Sequence, residues 1–117
     1  MLTDQIKIAI PVAGGIVSAH FGHCDSFLLV KIDRVRKKVL KTEMVVPPPH
    51  EPDLLPRWLT RFGVHLVLTG GIGSRAKTLF QQQGIGVVDG APPLEPQAVL
   101  EQYLTGTLSN VGNACDH

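Results

Sequence analysis

The chain has 117 residues, 44% of them hydrophobic and 18% charged, with a formal net charge of +1 and an isoelectric point near 7.9. A domain of that length buries roughly two-thirds of its unfolded surface, so it needs no disulfide staple, and the composition excludes a disordered tail protein. The near-neutral charge gives no electrostatic footprint for nucleic acid, and no stretch approaches the ~18 consecutive apolar residues of a membrane span.

The opening residues Met1 to Gln5 lack the basic start and apolar run of a signal peptide, so the expected location is the cytoplasm. In that reducing compartment the two cysteines, Cys24 and Cys115, are expected as free thiols or metal ligands and not as a disulfide.

Gln5 to Val12 is rich in Ile and Val and runs into Ala13-Gly14-Gly15, which reads as a central strand ending in a glycine loop. Ile16 to Phe27 shows neither helical nor alternating apolar spacing and is expected as a long functional loop. Phe27 to Asp33 and Val39 to Val46 are strand-like runs joined by the basic segment Arg34 to Lys38, an antiparallel hairpin whose turn is solvated. Pro47-Pro48-Pro49 stops the second of these, and His50-Glu51-Pro52 continues a stiff linker.

From Asp53, a plausible N-cap, Leu54, Leu55, Trp58, Leu59 and Phe62 fall at helical spacing, with Gly63 as the stop. Val64 to Thr69 is expected as a buried strand despite His65, which reads as a satisfied core or edge residue. Gly70 to Ser74 leads into a helix over Arg75 to Gln83, Ile85 to Asp89 forms a third short buried strand, and Leu94 to Leu104 a last helix closed by Gly106. The order β-β-β-α-β-α-β-α predicts a single α/β domain over residues 1–117. Its sheet is mixed and five-stranded with helices on both faces, and residues 107–117 form a mobile tail. Ligands of such sheets sit beyond the C-terminal ends of parallel strands, here the loops Ala13 to Ser26 and Gly70 to Ser74.

Two imidazoles and a thiol fall within five residues at His20, His23 and Cys24, a set suited to Zn, Cu, Fe or the edge of a cluster. The spacing lacks the paired dyads of a zinc finger. His50 is presented by the proline linker, and Cys115 with His117 adds a second Cys/His pair on a tail that could close over a cluster. Gly71-Ile72-Gly73-Ser74-Arg75-Ala76 fits a loose Gly-x-Gly-x-x-Ala turn between strand and helix, with Asp89 ending the next strand as a ribose-binding carboxylate would. That turn is equally suited to other anions, because glycine-flanked helix starts offer backbone donors without identifying the ligand. No serine sits in a nucleophile elbow and the ten carboxylates are scattered, so hydrolysis is poorly supported; a Cys24/His23 thiol enzyme stays open, although sequence neighbours rarely have nucleophile-base geometry and no orienting group is evident.

Lys7 to Pro11, His20 to Phe27, His50 with Leu54 to Leu59, Gly70 to Ala76, Gly84 to Val87 and Cys115-Asp116-His117 together resemble the dinitrogenase iron-molybdenum cofactor biosynthesis proteins, over nearly the whole chain and in order. The chain departs from that pattern at Asp53, where a glycine is expected. The resemblance implies a ribonuclease H-like sheet, no hydrolase activity, and a role in holding or carrying a metal-sulfur cluster of iron-molybdenum type or another Mo, Fe or Cu cluster. Expected metal ligands are His20, His23, Cys24, His50, Cys115 and His117, with Gly71, Ile72, Gly73 and Ser74 as backbone donors. The cluster itself and cluster-assembly or acceptor proteins are the expected partners, with neither nucleic acid nor membrane. The alternatives are a nucleotide or dinucleotide module on Gly71 to Ala76, and a regulatory or interaction domain without cargo.

Overall fold

The computed structural model describes residues 4–49, 51 and 53–108. The elements run β1 (Gln5–Ala13), β2 (Ile16–Val17), a 3₁₀ turn (Phe21–His23), β3 (Ser26–Asp33), β4 (Lys38–Val45), α1 (Leu54–Thr60), β5 (Leu66–Leu68), α2 (Ser74–Gln82), β6 (Gly86–Val88) and α3 (Pro96–Thr105). The sheet is ordered β4-β3-β1-β5-β6, with β2 attached to β1. β1 is antiparallel to β3, and β3 to β4, as hairpin connections dictate; β5 and β6, each reached through a helix, lie parallel to β1 and β5 respectively.

The sheet therefore has six strands and not five. The additional strand is the start of the expected long loop, where Ile16 and Val17 turn back to pair with Ala13 and Val12. Gly14 and Gly15, at φ 62° and 83°, supply the two left-handed residues that such a tight hairpin requires. A two-residue strand carries no alternation to detect, so Gly-Gly was its only sequence signal.

Alternation along β1 divides the interior. Ile8, Ile10 and Val12 join Leu28, Val30 and Ile32 of β3 under Val99 and Leu100 of α3. Ala9 points the other way and joins Phe27, Leu29 and Val67 beneath Leu55 and Leu59 of α1 and Phe80 of α2. Helices thus cover both faces, α3 on one and the α1–α2 pair on the other. Gly106, at φ 76°, ends α3 by donating its N–H back to Gln102 and Tyr103 carbonyls.

Candidate functional site

The loop His20 to Cys24 is rooted by its one apolar member. Phe21 is buried and packs edge-to-face on Phe27 and Phe80, with ring centroids 5.5 and 5.4 Å apart. Two buried hydroxyls fix the backbone around it. Ser18 Oγ donates to the His20 carbonyl at 2.7 Å and accepts from the His20 N–H at 3.2 Å. Thr69 Oγ1 donates to the Gly71 carbonyl at 3.0 Å. That same carbonyl accepts the Phe21 N–H at 2.8 Å, and Gly70 N–H donates to Ser18 O at 3.0 Å, so the histidine loop and the glycine turn are bonded to each other.

This contact explains the first two glycines of the turn. A Cβ on Gly70 would lie 2.8 Å from Ser18 O, and one on Gly71 would collide with Ala19 O. Gly73 is different: nothing lies within 4 Å of where its Cβ would be, and it is the residue preceding α2. The N–H groups from Gly71 to Ser74 donate to no partner among the described residues. The first helical N–H groups are orphans by construction, and they carry the positive end of the α2 dipole.

A cavity of about 180 Å³ lies where these elements meet, lined by Phe21, Gly22, Glu51, Asp53, Leu55, Pro56, Gly73 and Ala76. It sits beyond the C-terminal ends of β1 and β5, where an open α/β sheet holds its ligands. Asp53 spans it. The residue occupies the α1 N-cap position in the left-handed region (φ 65°, ψ 3°), yet its side chain does not cap the helix. Its two carboxylate oxygens instead accept from Arg75 Nε and Nη2, both at 2.7 Å, tying α1 to the first turn of α2. That hydrogen bonding holds the Asp53 carboxyl below its ordinary range and pushes the Arg75 guanidinium up. The glycine expected at this position would adopt the same left-handed backbone without strain; aspartate adopts it and adds a carboxylate.

The expected metal ligands divide into three groups. His20 and His23 are exposed and adjacent, with ring centroids 5.6 Å apart. Cys24 is half-buried and packed against the Phe27–Phe80 cluster. Burial above all, with the Asp25 charge adding, pushes its thiol from 9.0 to about 11, although a backbone hydrogen bond opposes the shift. His50, Cys115 and His117 lie outside the described residues. Among the described residues no three His, Cys, Asp or Glu side chains are grouped closely enough to hold a metal ion. Asp89, the candidate ribose carboxylate, is paired with Lys77 at 3.3 Å. His65 is satisfied, its Nδ1 accepting the Lys7 N–H at 3.0 Å.

Sequence reasoning missed Phe21, Ser18 and Thr69 as the supports of the loop. Only Phe21 carried a signal, as a lone aromatic inside a polar loop. No helix among the described residues is long and apolar enough to cross a membrane.

Comparison with known proteins matches the chain to a relative, to solved structures and to a family model. An uncharacterized protein of Methanocaldococcus jannaschii, MJ0580, is 29% identical over 85 residues, 70% of this chain and 72% of that one. The crystal structure of PH0822 superposes with a TM-score of 0.82 at 34% identity, covering 89% of this chain and 93% of the other. The apo form of the orange protein from Desulfovibrio gigas shares the fold, with a TM-score of 0.71 at 23% identity over 92% of this chain and 94% of its own. The family model described as dinitrogenase iron-molybdenum cofactor matches residues 4–106, from the start of β1 to the end of α3, and the chain belongs to that family.

Proposed function

We propose that the chain is a non-enzymatic binding or carrier protein for a metal-sulfur cluster, of iron-molybdenum type or its precursor, held in the crevice between the His20–Cys24 loop and the start of α2. The observation that carries this reading is the direct bonding of the two loops, Phe21 N–H to Gly71 O. It ties the backbone of the imidazole-bearing loop to the glycine turn beside one cavity, which Phe21, Gly22 and Gly73 line, while His20, His23 and Cys24 stand outside that lining.

The donor set suits a cargo that brings its own sulfide. Two imidazoles binding one metal through nitrogens at 2.0–2.1 Å have ring centroids no more than roughly 6.4 Å apart. The 5.6 Å between His20 and His23 falls within that reach. Two side chains are too few for an isolated ion but enough to hold the edge of a preassembled cluster, whose negative charge the Gly71–Ser74 amides would offset. Cys24 joins as a thiolate only by losing a proton that burial retains, so its ligation is coupled to proton release. His50, Cys115 and His117 are the remaining candidate ligands, and cluster-assembly or acceptor proteins the expected partners, in the cytoplasm.

The nucleotide reading has less support. Gly70 and Gly71 are small because the neighbouring loop occupies the space in front of them, and the Asp89 carboxylate is engaged by Lys77.

Anaerobic incubation with iron, sulfide and molybdate, or with copper and tetrathiomolybdate, tests the proposal. Wild type should develop cluster absorption, Cys24→Ser much less, and the double variant His20→Ala/His23→Ala none. Equal uptake by wild type and Cys24→Ser removes the thiolate assignment, and no uptake by wild type overturns the proposal.

A further inference from the structure

β-sheet register places three lysines in one row. Lys7 of β1 stands directly opposite Lys31 of β3, and Lys31 directly opposite Lys41 of β4. Neighbouring strands are ~4.8 Å apart, so the outer two members of the row are separated by about 10 Å of sheet. Like charges directly opposite on adjacent strands are destabilising, and here that pairing occurs twice in succession.

One described acid relieves it only in part. None of the three lysines makes a salt bridge among the described residues. Among the described residues Glu43, two residues from Lys41 on the same face, is the one carboxylate lining the cavity of about 120 Å³ that the four side chains form with Leu29. The local balance is therefore +2 over a buried apolar floor. The row is also held firmly. Lys7 accepts the His65 N–H at 2.8 Å through its carbonyl and donates its own N–H to His65 Nδ1 at 3.0 Å, so its backbone is fastened on the side away from Lys31.

We propose that Lys7, Lys31 and Lys41 form a binding site for a small, multiply charged phosphate compound, separate from the crevice at the other end of β1. Along that strand Lys7 precedes Ala13 by roughly 20 Å. A dianionic phosphate group matches the net charge of the row, and a second phosphate group would lengthen the contact along it. Ammonium groups on flexible stems suit such a ligand, since they bind phosphate as converging point charges and need no planar geometry. The hairpin bearing Arg34, Arg36, Lys37 and Lys38 closes the same end of the sheet and adds a positive field that draws anions there.

The test is calorimetric titration of the full chain with sodium pyrophosphate, and separately with inorganic phosphate, at an ionic strength held constant with sodium chloride. Wild type should bind pyrophosphate saturably, Lys31→Gln at least tenfold more weakly, and Arg61→Gln, which removes the same charge at the end of α1, like wild type. In low-salt buffer without phosphate, Lys31→Gln should melt above wild type, and pyrophosphate should narrow the gap. Absence of saturable binding by wild type, or equal weakening in the two variants, would overturn the site. Retention of wild type on phosphatidic-acid vesicles that pyrophosphate does not displace would overturn its assignment to a small soluble anion.

Discussion

Replacing Gly71 with alanine drives a methyl group into the Ala19 carbonyl, well inside the roughly 3.3 Å at which carbon and carbonyl oxygen touch. Both atoms that must separate belong to backbone, and the two segments are bonded through Phe21 N–H to Gly71 O at 2.8 Å and Gly70 N–H to Ser18 O at 3.0 Å. Overpacking of this kind costs about 1–3 kcal/mol, and loss of one loop-to-loop hydrogen bond adds about 1 kcal/mol. The smaller entropy of the unfolded alanine chain returns about 0.4–1 kcal/mol, leaving a net destabilisation of about 1–3.5 kcal/mol. Gly73, two residues on, has open space at its Cβ position and an ordinary φ of −70°, so the unfolded-chain gain of about 0.4–1 kcal/mol is offset only by the preference of a helix N-cap for glycine over alanine, and Gly73→Ala should lie within about 0.5 kcal/mol of wild type. Urea unfolding of the two variants therefore separates two roles within one five-residue turn, Gly71 as a spacer and Gly73 as an open backbone donor. A Gly71→Ala variant within about 0.5 kcal/mol of wild type, or a Gly73→Ala variant less stable than Gly71→Ala, would refute the packing of the histidine loop against the turn.

Four other outcomes follow from the same geometry. With its thiol pushed up to about 11 from 9.0, Cys24 should react with iodoacetamide at pH 8 about a hundredfold more slowly in the native chain than in urea, and a native rate matching the unfolded one would contradict its burial. Because the folded thiol titrates above the unfolded one, the stability that this burial supplies is complete below pH 9 and declines as pH rises toward 11. Asp53 behaves in the opposite sense: its carboxyl is held down by Arg75, so the pair contributes above the unfolded carboxylate range and its contribution is lost on acidification. The stability difference between wild type and Asp53→Asn should shrink between neutral and strongly acidic pH, and a constant difference would exclude the pairing. Phe80→Ala, which empties a fully buried site beneath Phe21, should cost about 3–5 kcal/mol in urea unfolding and increase amide exchange at His20 to His23, whereas unchanged exchange there would mean that the aromatic cluster does not root the loop.

The legible parts of this fold were those with a period or a stop. Residues Gln5 to Val12 and Phe27 to Asp33 were readable as adjacent strands because their apolar runs are long, and α2 and α3 because glycine closes each of them. β2 was not, since two residues have no period and only tertiary pairing with Val12 and Ala13 makes them a strand. In the candidate site, the histidine loop and the glycine turn were recognisable as chemistry, and the topology placed both beyond the same strand ends. Their direct bonding was not legible, because Ser18, Thr69 and Phe21 act through backbone groups far away in sequence. The lysine row was invisible for the same reason: Lys7, Lys31 and Lys41 become neighbours only once the register of three strands is fixed.

Metal and acid-labile sulfide analysis of the chain purified without oxygen tests the central claim most directly. A cluster carrier should copurify with molybdenum, iron or copper together with inorganic sulfide, in amounts that fall when Cys24 is replaced by serine. Protein that emerges free of both metal and sulfide, and takes up neither on anaerobic reconstitution, would contradict a cargo in the crevice between His20–Cys24 and the start of α2.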